Sequence, residues 1–404
     1  MKVPFSPPRV DQKTIDAVTE VLKSGWITTG PKTKLFERRL TDYTGCKSTL
    51  CVNSGSAGLE LVLRWFGVKE GDEVIVPAYT YAATANVVVH CGALPVMVDI
   101  GDDFNISASA IEKAITKRTK VIMPVDLAGF PCDYEKIMSL VEKDSIKQMF
   151  LPETAIQKKL NRILMLSDAA HSIGAGYKGR KSGTLSDIAV FSFHAVKNLT
   201  TAEGGAICLN LGNDFDNERL YNELNIKSLH GQTKDALAKT QPGNWKYDII
   251  EPGYKCNFTD IQAAMGLVEL ERYDDDMLVR RKEIFDRYTS RFSTYDWAQT
   301  PVYETKDKRS SFHVYLLRIR NIKEEERDRI IQKIFEEEVA VNVHFVPLPM
   351  MTYYKNRGYD IRNFPVAFNN YSRVISLPVF YDLTNAQIEE VVDAVVGAVE
   401  SLRN

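Results

Sequence analysis

The sequence predicts an α/β protein: a large domain with a mostly parallel sheet between layers of helices, then a smaller carboxy-terminal α/β domain. Three observations support this. Short apolar runs such as Glu73-Val74-Ile75-Val76-Pro77 and Val121-Ile122-Met123-Pro124-Val125 suit buried strands. Segments with helical periodicity alternate with them, the pattern of a sheet covered on both faces. A charged helix beginning near Ile261 and running through Arg280–Phe292 then leads into a second series of elements.

In chain order, residues 11–23 place Ile15, Val18, Val21 and Leu22 on one helical face, ended by Ser24-Gly25. A second helix, around Lys32–Tyr43, follows the Gly30-Pro31 turn. The strand Thr49–Val52 runs into Asn53-Ser54-Gly55-Ser56-Ala57-Gly58 and a helix carrying Leu59, Leu61, Val62, Leu63 and Trp65. Gly71-Asp72 precedes the strand 73–77, a helix spans about Ala82–Val89, and Pro95–Asp99 is the next strand. A helix near Asp133–Glu142 separates the strands Val121–Val125 and Arg162–Leu166, and residues 143–162 form an exposed or amphipathic insertion. The smaller domain has strand His313–Arg320, helix Glu325–Glu338, strand Val339–Phe345 and helix Asn385–Leu402. The expected division is 1–260 for the large domain with the amino-terminal segment, and 261–404 for the smaller one.

Composition excludes several classes. The 404 residues carry 51 Lys plus Arg against 53 Asp plus Glu, and a net charge of −2 gives no global attraction to nucleic acid or anionic membrane. No apolar stretch approaches a membrane span, and the prolines at 4, 7 and 8 do not suit a signal peptide. The cysteines at 46, 51, 91, 132, 208 and 256 lack Cys-x-x-Cys pairing, so they read as reduced packing residues, no metal is expected, and the expected compartment is the cytoplasm.

Lys197 closes Phe191-Ser192-Phe193-His194-Ala195-Val196-Lys197 and precedes Glu203-Gly204-Gly205, which is unusual company for a surface lysine. Upstream, Asp168 ends the apolar run Leu164-Met165-Leu166-Ser167-Asp168. An amine able to form a Schiff base and a carboxylate able to keep a ring nitrogen protonated are the two anchors pyridoxal 5′-phosphate (PLP) needs. The junction at 52–59 suits a phosphate, because small residues and a helix amino terminus present backbone N–H groups; Ser56 and Ala57 are the candidates. It also reads as a Ser-capped helix start. Ser192 can add a hydroxyl. Tyr79 and Tyr81, at alternate positions of the strand end, share one pleated face, and Tyr81 suits stacking on a flat ring, although a core aromatic fits as well. Asp168 also suits a helix cap. His171 faces the same way as Asp168 if 169–171 open a helix, and it can then bond the cofactor's phenolic oxygen.

Several blocks resemble the DegT/StrS family of sugar aminotransferases: Ser24-Gly25-Trp26-Ile27-Thr28-Thr29-Gly30-Pro31, Gly71–Pro77, Thr84-Ala85-Asn86, Gly92–Val96, Thr119–Ile122, Tyr177–Gly183 and Ser376-Leu377-Pro378. The resemblance covers about residues 5–400 and implies the PLP-dependent transferase fold type I. It also implies a homodimer with shared active sites, glutamate as amino donor and a nucleotide-linked keto-sugar as acceptor, in cytoplasmic deoxysugar biosynthesis. By this resemblance Lys197 is the Schiff-base lysine and catalytic base, Asp168 the ring-nitrogen partner, Ser192 a phosphate ligand and Tyr81 the stacking residue. His171 stands where many members have Gln, and Gly253-Tyr254-Lys255-Cys256-Asn257 departs from Gly-Tyr-Asn-Tyr-Arg. Both departures resemble the branch that makes UDP-4-amino-4-deoxy-arabinose, which favours amination at C4 over C3. Asn257 would reach the phosphate of the partner's cofactor. Trp26, Thr28, His230 and His344 are candidates for the sugar pocket, the two histidines equally for structural roles. Two other readings stay open: a PLP-dependent sugar dehydratase, which commonly has His in place of the lysine, and a non-catalytic regulatory relative.

Overall fold

The computed structural model describes residues 1–239 and 245–403. From the amino terminus, α1 (Gln12–Ser24) and α2 (Pro31–Thr44) precede β1 (Ser48–Val52), α3 (Gly55–Phe66), β2 (Glu73–Pro77), α4 (Ala82–His90) and β3 (Leu94–Val98). The central sheet continues with β4 (Thr119–Ile122), β5 (Leu164–Asp168), β6 (Ile188–Ser192) and β7 (Gly205–Leu209). Among the described residues this sheet has seven strands in the order β1-β7-β6-β5-β4-β2-β3. Only β7 runs against its neighbours; the other pairings, β6 with β5, β5 with β4, β4 with β2 and β2 with β3, are parallel. The carboxyl ends of β1, β6, β5 and β2 therefore emerge along one edge, where open α/β sheets bind their ligands.

Strand alternation divides the core. Ile188 and Val190 of β6 pack into one apolar cluster with Leu59, Val62, Val74 and Leu164, and Ala189 and Phe191 pack into another with Phe36, Phe258, Phe285 and Tyr315. Burial on both faces explains why these strands are apolar throughout. The second cluster extends under a three-stranded antiparallel sheet, Ala298–Gln299, Tyr315–Ile319 and Val374–Leu377, and includes apolar residues of helices Glu324–Glu336 and Asn385–Arg403. Val3 bridges Val339 and so ties the amino terminus to this carboxy-terminal layer.

Several local expectations change. On α1, Val21 is buried but Ile15 and Leu22 are 48% and 55% exposed, so the apolar face read from the sequence is only partly covered within the chain. The charged helix is two helices, Asp260–Glu271 and Leu278–Phe292, separated by a π-helical turn at Tyr273–Met277; the first packs on α1 and α2. Residues 339–345 do not form a regular strand. They make isolated bridges, Val339 to Val3 and Asn342 to Ser376. The insertion at 143–162 folds as helices Asp144–Met149 and Ala155–Leu160, docked by Gln157 Nε2 donating to Phe66 O at 2.9 Å and Lys120 Nζ to Leu151 O at 2.5 Å. All six cysteines are free and buried.

The turn into β7 has little room. A Cβ built on Gly205 would lie 2.6 Å from Gly55 N and 2.8 Å from Phe191 O, both backbone atoms. Gly205→Ala is expected to destabilise the protein by about 1–3 kcal/mol through forced backbone shifts. A chemical-denaturation midpoint equal to that of the parent protein would show that the turn adapts.

Candidate active site

The carboxyl ends of β1, β6 and β5 bring the sequence-predicted groups together. Ser54 caps α3, and the first residue of that helix, Gly55, approaches Ser192 at the end of β6; an added Cβ on Gly55 would lie 3.2 Å from Ser192 Cβ. Ser56 is exposed at the same helix start, where intrahelical partners for N–H groups are missing. Ala57 N–H differs from expectation because it donates to Ser54 Oγ at 3.1 Å. The anion-binding reading thus coexists with the Ser cap. An open groove of about 550 Å³ adjoins this turn, lined by Ser56, Ala57, Tyr81, Asn86, Tyr254 and Lys255 among others.

Asp168 is buried at the end of β5, paired in register with Val190 of β6. A turn follows it rather than a helix, so Asp168 is not a helix cap. Thr84 Oγ1 donates to its Oδ2 at 2.7 Å and Ala170 N–H to its Oδ1 at 3.3 Å. Burial raises the Asp168 pKa, and Thr84, Ala170 N–H and the charge of Lys197 oppose that shift. Lys197 sits in a tight loop after β6: its N–H donates to His194 O at 2.8 Å, and Thr201 N–H returns to Phe193 O at 2.9 Å. The residue keeps some exposed surface, yet its amine is enclosed. Burial lowers its pKa from 10.5 to about 8, against the pull of Asp168.

His171 is buried, and its Nδ1 has no hydrogen-bond partner among the described residues. Its ring lies 4.3 Å from that of His313 and 6.0 Å from that of Phe345. Burial, then the Lys197 charge, hold it neutral, with a pKa well below the usual histidine value. His344 lies nearby: Tyr79 donates to its carbonyl at 2.7 Å, Phe5 stacks on its ring at 5.5 Å, and burial lowers its pKa to about 4.

Other predicted residues are placed differently. Tyr79 and Tyr81 lie beyond the end of β2 and do not share a pleated face; Tyr79 is fully buried, whereas Tyr81 is 63% exposed with its ring 5.6 Å from that of Phe345. Asn257 bridges Val52 of its own chain and donates from Nδ2 to Thr29 Oγ1 at 2.8 Å. Trp26 is half-buried and donates to Thr29 O at 3.1 Å, beside exposed Thr28. His230 is an exposed turn residue whose N–H donates to Tyr254 O at 2.7 Å.

Sequence reading missed Thr84, His313 and Asn198. His313 Nδ1 lies 2.8 Å from Asn198 Oδ1, and Asn198 Nδ2 donates to Ser311 O at 2.7 Å. Because the Asn198 amide N–H is given to a carbonyl, its oxygen is the acceptor, so His313 carries its proton on Nδ1. Ser311 Oγ in turn donates to His171 O at 2.6 Å, closing a strap between the Lys197 loop and the carboxy-terminal layer. Such pairs have no periodicity to reveal them. Only the Thr80/Thr84 spacing at a helix start is visible locally.

Residues 8–150 and 152–396 match the DegT/DnrJ/EryC1/StrS aminotransferase family, and the chain belongs to that family. It is 36% identical to the spore coat polysaccharide biosynthesis protein SpsC of Bacillus subtilis, with 97% of this chain and 96% of the relative covered. It is 39% identical to an uncharacterised protein of Methanocaldococcus jannaschii, with 99% and 98% covered. A solved structure of Spr1654 from Streptococcus pneumoniae, named as a sugar aminotransferase and in its pyridoxamine phosphate form, superposes with a TM-score of 0.95 at 47% identity, covering 99% of this chain and 100% of that one. The aminotransferase PseC of Helicobacter pylori, involved in pseudoaminic acid biosynthesis, superposes with a TM-score of 0.86 at 28% identity, covering 99% and 100%. The protein is therefore a PLP-dependent aminotransferase of fold type I.

The residues present fit this cofactor. The orphaned Nδ1 of His171, a buried carboxylate held by neutral donors, an enclosed amine and a helix amino terminus beside Ser192 suit its polar atoms. Among the described residues no group of His, Cys, Asp and Glu could hold a metal, and no helix is long and apolar enough to cross a membrane.

An amine titrating at about 8 is half deprotonated there, whereas an ordinary lysine is only ~0.3% neutral at that pH. Since the neutral amine is the nucleophile, PLP uptake by the apoprotein should rise about tenfold per pH unit below pH 8 and level off above it. Stopped-flow absorbance measures the rate. A rise continuing to pH 10 would contradict the lowered pKa.

Proposed function

We propose that the protein transfers the amino group of glutamate to the C4 keto group of a nucleotide-linked keto-deoxysugar. The product is an amino sugar for surface polysaccharide or a glycosylated metabolite, and the setting is the cytoplasm. The observation that carries the catalytic part is the placement, at one sheet edge, of a buried carboxylate held by Thr84 and Ala170 N–H and of an enclosed amine that feels its charge and whose pKa is brought to about 8. The names of SpsC and PseC support the sugar setting. His171 and the Gly253–Asn257 segment favour C4 and the branch that forms UDP-4-amino-4-deoxy-arabinose.

PLP, when bound, supplies the electron sink that makes the glutamate α-proton acidic. Each residue then has a defined part. Asp168 holds a proton at the ring nitrogen, helped by a burial that keeps water from competing. Lys197 Nζ would hold the cofactor covalently at rest. Freed when glutamate binds, its neutral amine would take the α-proton as base and relay it, and in the second half-reaction it would return a proton to the sugar carbon that gains nitrogen. Water would supply the carbonyl oxygen as glutamate leaves as its 2-oxo acid, the nitrogen being retained for the keto-sugar, whose own oxygen leaves as water in the second half-reaction. Ser192 with the backbone at Ser56 and Ala57 would bind the phosphate, Tyr81 would cover the ring and His171 would meet its phenolic oxygen. Trp26, Thr28, His230 and His344 are placed around the sugar pocket in this reading. The intact Lys197 and Asp168 argue against a dehydratase or a non-catalytic relative.

Incubating the enzyme with glutamate and a panel of 4-keto and 3-keto nucleotide sugars should give mass-spectrometric gain of the amine only with 4-keto acceptors. Preferential amination of 3-keto acceptors would sink the C4 reading, and hydroxyl loss without amination would favour a dehydratase.

The homodimer with shared sites is part of the same proposal. If Asn257 serves the partner's cofactor phosphate, mixing Lys197→Ala with Asn257→Asp subunits places both lesions in one site and none in the other. Activity should return to about half of the parent value per heterodimer if the two sites act independently. No recovery in verified heterodimers would mean that Asn257 acts in its own subunit, beside its own Val52.

A further inference from the structure

We propose that Thr84 is a positioning residue for the proton held between Asp168 and the cofactor ring, and that Thr80 directs it. This rests on the reading of Asp168 as the ring-nitrogen partner. Thr84 lies in the first turn of α4 and is fully buried, as is Thr80 just before that helix. The helix follows β2, two strands from β5 in the sheet, so the sheet order carries the hydroxyl to the carboxylate from the side.

The hydrogen-bond directions follow from the donors available. Thr84 Oγ1 is 2.7 Å from Asp168 Oδ2, and an ionised carboxylate can only accept. A hydroxyl has one hydrogen. Once Thr84 gives it to Asp168, the 2.9 Å contact with Thr80 Oγ1 must be donated by Thr80. The chain therefore runs from Thr80 through Thr84 to Asp168 in one direction, and successive bonds of this kind polarise one another.

Two consequences bear on the reaction. The Oδ2 bond orients the carboxylate, and among the described residues Oδ1 receives only the long 3.3 Å contact from Ala170 N–H, so acceptor capacity remains for a ring N–H. The donors are also neutral. A guanidinium or ammonium at Thr84 would pair with the charge and weaken its hold on a proton at the ring, whereas a hydroxyl orients the carboxylate without cancelling it. Burial of both threonines keeps water from substituting for either hydroxyl.

The test compares Thr84→Val, close to threonine in shape, with Thr84→Ser, which retains the hydroxyl, using holoenzyme reconstituted with ring-¹⁵N PLP. Thr84→Val should move the ring-nitrogen signal towards the unprotonated position. It should also slow the single-turnover reaction with glutamate by about 10- to 100-fold, the scale of a lost charge-assisted hydrogen bond. Thr84→Ser should restore both, and Thr80→Val should shift the signal the same way by less. A merely structural threonine would lower the thermal midpoint of Thr84→Val while leaving ring signal and turnover at parent values, and that result would overturn the proposal. If Thr84→Val fails to fold, Thr80→Val decides by the same two readouts, parent values again overturning it. Asp168→Asn separates the two levels. An unchanged ring signal there removes the Asp168 reading and the relay together; a changed signal with none in either threonine variant removes the relay alone.

Discussion

Desolvation of two opposite charges at one sheet edge is the constraint around which the site is arranged. Burial alone raises the pKa of Asp168 and lowers that of Lys197, each towards its neutral form. Their mutual attraction pulls both back. On Asp168 the larger opposing effect comes from neutral donors, Thr84 Oγ1 and Ala170 N–H, which favour the ionised carboxylate without occupying it as an ion pair would. The result is a carboxylate that can hold a proton on a heterocycle and an amine that can be neutral near physiological pH. The neutral amine would not persist if Lys197 faced bulk water, where a lysine stays protonated.

The fold meets this constraint through strand order. Parallel strands β5 and β6 place Asp168 and Ser192 at the same edge, and the reversed β7 returns the chain so that Gly205 pairs with both Ser192 and Val52. That pairing lets the amino terminus of α3 approach Ser192, with no space for a side chain on Gly205. Opposite the sheet, the strap of Ser311, His313 and Asn198 holds the Lys197 loop and the backbone of His171 in fixed relation. The reacting groups are thus fixed by backbone pairing on one side and side-chain hydrogen bonds on the other.

What the sequence revealed divides along the same line. Strands β1 to β5 were legible because burial on both faces makes them continuously apolar, and the Ser54 cap and the glycines around α3 have local chemistry. Asp168 was legible because it ends such a run, and Ser192 and Lys197 because they lie in a Phe-Ser-Phe segment that closes before a Gly-Gly turn. The relation of Thr84 to Asp168 was not, since it joins positions 84 residues apart through sheet order. His313 was hidden for the same reason, 115 residues from Asn198. The two tyrosines after β2 were misread because a strand rule was carried past the strand's end. Ile15 and Leu22 show the limit of periodicity: it marks an apolar face but not what covers it.

Exchange of the glutamate α-proton in D₂O, followed by NMR, tests the central claim most directly, because it isolates the step assigned to Lys197 from every question about the sugar. The holoenzyme should exchange that proton without any keto-sugar present, and Lys197→Ala should bind PLP noncovalently yet exchange it at least ~10²-fold more slowly, the usual contribution of a positioned base. Parent-like exchange by PLP-loaded Lys197→Ala would show that another group moves the proton and that the site works differently.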